Sequence, residues 1–150
     1  MKDDVDVFQG HDSLCKDRQR LIVSSEKRSK HIAENDRGAL VRQYKIDGDV
    51  ITGKDTDKCD YAVLNDDRKA AYLIELKGSD LLHAMEQLEK TRALLMPSLK
   101  EYQFYYRIVF SGSATHSVNM SEYYSWQKKC GQVNGCFVAQ MKRVRMREKI

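Results

Sequence analysis

The 150-residue sequence contains a single proline, Pro97, and no stretch rich in glycine and serine. Linkers between domains are usually rich in these residues, so we expect one domain over residues 1–150. No apolar run approaches the roughly 20 residues that cross a bilayer. The opening residues, MKDDVDVFQGHDS, lack the apolar segment of a secretory signal. We therefore expect a cytoplasmic protein that does not bind membranes.

Closely spaced cysteine pairs are also missing. Cys15, Cys59, Cys130 and Cys136 contain no C-x-x-C pair. Because there is no export signal, we expect reduced thiols rather than disulfides. The cysteines and the four histidines also lack the close ligand spacing of a zinc site.

Charge is abundant, and both signs are present. Charged residues make up 32% and hydrophobic residues 41% of the chain, which is typical of a globular protein. The net charge is only +4, but basic residues cluster at 26–30 and 141–150. These clusters are either a solvated turn and a solvated tail, or surfaces that bind phosphates. The sequence leaves both interpretations open.

The first third of the chain gives few signals of secondary structure, and residues 1–38 stay uncertain. Residues 24–35 have the caps of a helix but a poor apolar repeat. The alternative is a strand at 31–33 followed by a turn at 35–38.

The signals become clearer from residue 39 onward. Strands predicted at 39–48, 59–65 and 70–77 are joined by short links, which indicates an antiparallel meander. Apolar residues at helical spacing then predict a helix from about residue 80 to 96, which ends at Pro97.

The rest of the chain completes an α/β or α+β domain. A strand at 104–113 follows the helix and is expected to lie parallel to a neighbour, because a crossover leads to it. A short helix is predicted at 120–130 and a final strand at 136–144. We predict a mixed central sheet, in which the meander is followed by the crossover helix and further strands.

Two charged residues interrupt a strand that otherwise reads as buried. Side chains alternate across a strand, so Glu75 and Lys77 share one face. Asp60 begins the preceding strand, and a turn at 66–69 folds the two strands together. Counting outward from that turn places Asp60 roughly opposite the Gly78 end of its partner strand, to within a residue or two, near Lys77 and within reach of Glu75.

This set of side chains suits phosphodiester hydrolysis. Two neighbouring carboxylates repel unless a cation lies between them. Mg²⁺ prefers oxygen ligands and keeps several waters, and Mn²⁺ is a suitable substitute. A metal-bound water deprotonates more readily, and a neighbouring lysine can orient it.

The order of these residues resembles a known nuclease family. Asp60 is followed by Glu75-Leu76-Lys77 and then by Ala84-x-x-Gln87 in the predicted helix. This arrangement is similar to the PD-(D/E)xK nucleases, which share the restriction-endonuclease-like fold and include Holliday-junction resolvases. The resemblance covers about residues 44–96. Cys59 stands where the family has its proline.

The resemblance implies a role for each matching residue. Asp60 and Glu75 would bind the metal, Lys77 would contact the attacking water, and Gln87 would support the site. The implied nuclease-like core spans about residues 39–113, and the implied substrate is nucleic acid, most simply DNA.

Two features of the family bear on this chain less directly. The family commonly adds an acid from a preceding helix, for which Glu26 and Glu34 are the candidates, although neither stands in a convincing helix. Many such enzymes cut both strands as symmetric dimers, so a homodimer is possible here.

Simpler interpretations stay open beside the nuclease. Glu75 and Lys77 would also suit an exposed pair on an edge strand. Asp60 would suit a turn, and Gln87 a solvated helix position. The same fold also hosts proteins that bind nucleic acid or another protein without cutting.

Overall fold

The computed structural model describes residues 6–26, 29–53, 58–76, 81–110, 117–132, 139–143 and 145–150. Its strands are β1 (Leu21–Glu26), β2 (Ser29–Glu34), β3 (Val41–Lys45), β4 (Tyr61–Asn65), β5 (Ala70–Glu75), β6 (Gln103–Phe110), β7 (Ala139–Arg143) and β8 (Arg145–Lys149). Its helices are α1 (Leu81–Leu95) and α2 (Ser117–Gln132). The described chain is therefore an α+β arrangement with two mixed sheets.

A five-stranded sheet has the order β3-β4-β5-β6-β7. The pairs β3–β4 and β4–β5 are antiparallel, so the expected meander is confirmed. The pairs β5–β6 and β6–β7 are parallel, as the crossover through α1 predicts. A parallel neighbour on one side and an antiparallel neighbour on the other make β5 a central strand, and all of its residues are buried.

Both helices pack on one face of this sheet. Leu81, Ala84 and Leu88 of α1 are buried against Leu73 of β5 in one apolar cluster. Tyr123 of α2 belongs to the same cluster. The predicted helix at 80–96 is confirmed almost to the residue, and it ends in a short 3-10 turn that contains proline.

A second sheet, with the order β1-β2-β8, covers the opposite face. Ile22 and Ala33 of this sheet pack against Ile74 of β5. The strand alternative for residues 31–33 is therefore correct, and the helix alternative for 24–35 is wrong. The turn at 35–38 is also present, and the amide of Gly38 donates to the carbonyl of Asn35 at 3.2 Å.

The basic C-terminus is a strand over residues 145–149, because β8 is part of the second sheet and lies parallel to β2. Its basic side chains are exposed, as the solvated interpretation expects. Met146 and Ile150 are buried in its core. Glu148 points the same way and pairs with Arg107 of β6 at 2.7 Å.

The segment before β1 has no regular secondary structure in its described part, and it lines the edge of β3. The Leu14 amide donates to the Gln43 carbonyl at 2.7 Å, and the Val41 amide donates to Asp17 at 2.8 Å. An exposed strand edge would otherwise invite pairing with another chain. This segment therefore provides hydrogen-bond partners for backbone groups at the outer edge of β3.

No helix within the described ranges is long and apolar enough to cross a membrane. Cys15, Cys59 and Cys130 are buried, and none of them forms a disulfide with another described residue. Cys136 lies outside the described residues.

Candidate functional site

Asp60 and Glu75 lie together at the end of the β4–β5 hairpin that is remote from its turn. The Asp60 amide donates to the carbonyl of Ile74 at 3.0 Å. The Asp60 carboxylate accepts the amide of Leu76 at 2.7 Å through Oδ2. Asp60 therefore bonds to both chain neighbours of Glu75. Both carboxylates are nearly inaccessible, with 5% of Asp60 and 4% of Glu75 exposed.

The register differs from the one expected. Asn65 pairs with Ala70 across the turn, so the ladder reaches Tyr61 opposite Ile74. Asp60 is consequently level with residues 74–76 and not with Gly78. Lys77 and Gly78 lie outside the described residues, so the predicted position of Lys77 stays a prediction.

Helix α1 holds the segment that leads into Asp60. Gln87 Nε2 donates to the carbonyl of Lys58 at 3.0 Å. One turn further on, Thr91 Oγ1 accepts the amide of Cys59 at 2.8 Å and donates to the carbonyl of Gln87 at 2.7 Å. Residues at i and i+4 share one helix face. Two helix side chains therefore position the backbone immediately before Asp60.

Glu75 and Asp60 both act electrostatically on the thiol of Cys59, which lies next to Asp60 in the chain. Burial raises the pKa of the Cys59 thiol well above its ordinary value, and the charges of Glu75 and Asp60 raise it further. A thiol in this setting stays protonated at neutral pH. Because only the thiolate is a strong nucleophile, Cys59 has a packing role.

Lys58 is a feature that the sequence analysis missed. Only 8% of its surface is exposed. Its ammonium group lies 3.6 Å from Asp47 Oδ1 and donates to the carbonyl of Gly53. Lys58 thus connects the turn after β3 to the segment that contains Asp60 and leads into β4. The only sequence signal was its position two residues before that carboxylate.

The pair of carboxylates fits a hard divalent cation. Carboxylate oxygens are the ligands that Mg²⁺ prefers, and Mg²⁺ sites often use only one or two of them and keep several waters. Within the described residues, no group of three or more His, Cys, Asp and Glu side chains is arranged to hold a metal. Asp60 and Glu75 are the two acids that the structure brings to this end of the hairpin.

The two acids considered as additional ligands lie in the second sheet. Glu26 ends β1 and is 3.6 Å from Lys45. Glu34 ends β2 and accepts a hydrogen bond from Arg147. The second sheet packs on the face of the five-stranded sheet opposite α1. Neither acid comes from a helix, in contrast to the arrangement common in the family that the sequence resembles.

No protein-family model, curated protein or solved structure matches this chain.

Proposed function

We propose that this protein is a metal-dependent nuclease that hydrolyses DNA phosphodiester bonds, with a restriction-endonuclease-like core. The observation that carries the proposal is the pair of buried carboxylates, Asp60 and Glu75, at one end of the central hairpin. Two carboxylates at one end of a hairpin favour a cation between them, because their like charges repel. The order of the meander, the crossover helix and the parallel strand supports the proposed core.

In this mechanism Asp60 and Glu75 would hold Mg²⁺, or Mn²⁺ in its place. The cation would supply a polarised phosphate and a more acidic water. Lys77 would orient the attacking water through its ammonium group, and the proton of that water would pass to solvent as the bond from phosphorus to the leaving oxygen breaks. Gln87 would act indirectly: its side chain holds the backbone at Lys58, two residues before Asp60, through a hydrogen bond.

The test is cleavage of duplex, branched and single-stranded DNA by purified protein with Mg²⁺ and with a chelator. Glu75→Gln and Lys77→Ala should reduce cleavage to the level of a mock preparation. The matched control is Glu101→Gln, because Glu101 is exposed. Equal residual cleavage by the wild type and both site variants would exclude the enzyme.

A second candidate is a binding module of the same fold that does not cut. It is favoured by the structural role that Asp60 already has, since its carboxylate caps the Leu76 amide. Calorimetry separates the two functions. DNA binding without any heat of Mg²⁺ or Mn²⁺ binding supports the module, whereas metal binding that Glu75→Gln abolishes supports the nuclease.

A further inference from the structure

The outward face of the second sheet combines apolar and basic side chains. Residues alternate between inward and outward along β1, and Leu21 and Val23 point outward, with 46% and 47% of their surface exposed. Along β8 the outward positions are Arg145, Arg147 and Lys149. We call this surface the outer face of the second sheet.

The strand register places these residues in rows across the sheet. Val23 is opposite Ile32, and Ile32 is opposite Arg147. Side chains opposite one another share a face. The outer face therefore changes from apolar at β1 to basic at β8, across two strand spacings of about 4.8 Å each.

Positive charge is in excess at one end of this face. Arg147 donates to Glu34, and Lys149 lies 3.4 Å from Asp36. At the opposite end, Lys30 is beside Arg145. Lys30 and Arg145 are both exposed, so this end of the outer face is positively charged and complements a negatively charged partner.

We infer that the outer face binds an acidic amphipathic helix of another protein. Such a helix is about 10–12 Å wide, which matches the width from β1 to β8. Its apolar stripe would cover Leu21 and Val23, and its carboxylates would meet Arg145 and Lys30. A second copy of this chain is a poor occupant, because two basic faces repel one another.

The chemistry of the face also argues against a nucleic acid. Sequence-independent binding of single strands relies on aromatic side chains that stack on bases, and the outward positions of β1, β2 and β8 contain none. The face lies on the opposite side of the five-stranded sheet from α1. A partner bound here does not cover the α1 side of the sheet, so this inference does not depend on the proposed nuclease.

The experiment measures binding of a fluorescent synthetic helix with leucines on one face and glutamates on the other. Fluorescence anisotropy with full-length protein should give saturable binding, and a scrambled peptide of the same composition should bind about tenfold more weakly. The combined variant Val23→Asp with Arg145→Glu should weaken binding about tenfold or more. Leu94→Asp with Lys128→Glu, two exposed positions on the helices, is the matched control and should change affinity less than about twofold.

Circular dichroism and the thermal midpoint establish that each variant is folded. The inference is overturned if the scrambled peptide binds equally well, or if the outer-face and control variants lose affinity alike. It is also overturned if vesicles of phosphatidylserine, or an oligonucleotide, bind through this face while the peptide does not. Cleavage by the outer-face variant, measured in parallel, reports on the nuclease proposal separately.

Discussion

Single side chains of α1 determine how Asp60 is presented. Gln87 is half-buried, and its amide group reaches the carbonyl of Lys58, two residues before the proposed ligand. Gln87→Ala removes this hydrogen bond and lets the backbone before Asp60 move. We expect cleavage to fall about 10–100-fold, which is usual when a group that orients a metal ligand is lost. The apparent affinity for Mg²⁺, from titrating the cleavage rate, should fall in parallel.

A purely structural Gln87 would behave differently. The variant would then lose thermal stability, while its activity per folded molecule and its Mg²⁺ dependence would match the wild type. Measuring the unfolding midpoint of Gln87→Ala beside its rate of cleavage separates these two outcomes.

Thr91 offers a test that does not depend on the proposed activity. It is fully buried, and its hydroxyl is the acceptor for the Cys59 amide. Thr91→Val keeps the shape but leaves that amide without its acceptor, so we expect a loss of about 1–3 kcal/mol in the free energy of unfolding. Thr91→Ser keeps the oxygen and should lose less. Urea denaturation of the three proteins measures this, and equal losses for the two variants would contradict it.

At the scale of elements, β8 joins the two sheets through buried charge. Burial disfavours the charged form of Glu148, but hydrogen bonds from His31 and Arg107 outweigh it and hold the pKa of Glu148 below its ordinary value of 4.5. The ionised carboxylate is therefore stabilised by folding. Its contribution is complete above about pH 4.5 and is lost as the pH falls through the lower, folded-state pKa.

We predict that Glu148→Gln destabilises the protein at pH 7 by about 3–5 kcal/mol, because it removes the carboxylate that accepts two hydrogen bonds from the buried Arg107. The variant should also lose less stability than the wild type on acidification from pH 5 to about pH 3. Urea denaturation across this range measures both effects. A variant whose stability declines as steeply as the wild type would show that another carboxylate controls acid unfolding.

Strand β8 also shows which features a local sequence pattern cannot predict. The meander and α1 were predictable because their own apolar residues repeat with periods of strands and helices. In β8 the inward positions are Met146 and Glu148, and a glutamate breaks the apolar alternation. Its burial makes sense only beside His31 and Arg107, which lie far away in sequence. Long-range ionic partners of this kind carry no local signal.

The candidate site was predictable to a similar extent. The strand and turn patterns bring Asp60 and Glu75 to one end of a hairpin, and the structure places them there. The details depended on contacts between separate elements. Thr91 and Lys58 hold the chain around Asp60 through hydrogen bonds with backbone groups, and neither residue stands out in a sequence pattern.

For the whole molecule, the described structure has three layers: the helices, the five-stranded sheet and the second sheet. Strand β5 lies at the centre of the middle layer. Its residues on one face meet α1, and those on the other face meet the second sheet. Both sets are buried, which explains why β5 is an unbroken apolar run up to Glu75. Strands that are covered on both faces typically lack the alternation of half-exposed strands.

This arrangement predicts that the two faces of β5 contribute similarly to stability. Leu73 faces α1 and Ile74 faces the second sheet, and both are fully buried. Leu73→Ala and Ile74→Ala should each lower the free energy of unfolding by about 2–5 kcal/mol, because each leaves a cavity in a packed interior. Val23→Ala, at an exposed position, is the control and should change it by less than about 1 kcal/mol. Urea denaturation followed by fluorescence and circular dichroism should give one coincident transition for each protein. A small effect of Ile74→Ala alone, or a separate early transition, would mean that the second sheet does not share a cooperative core with the first.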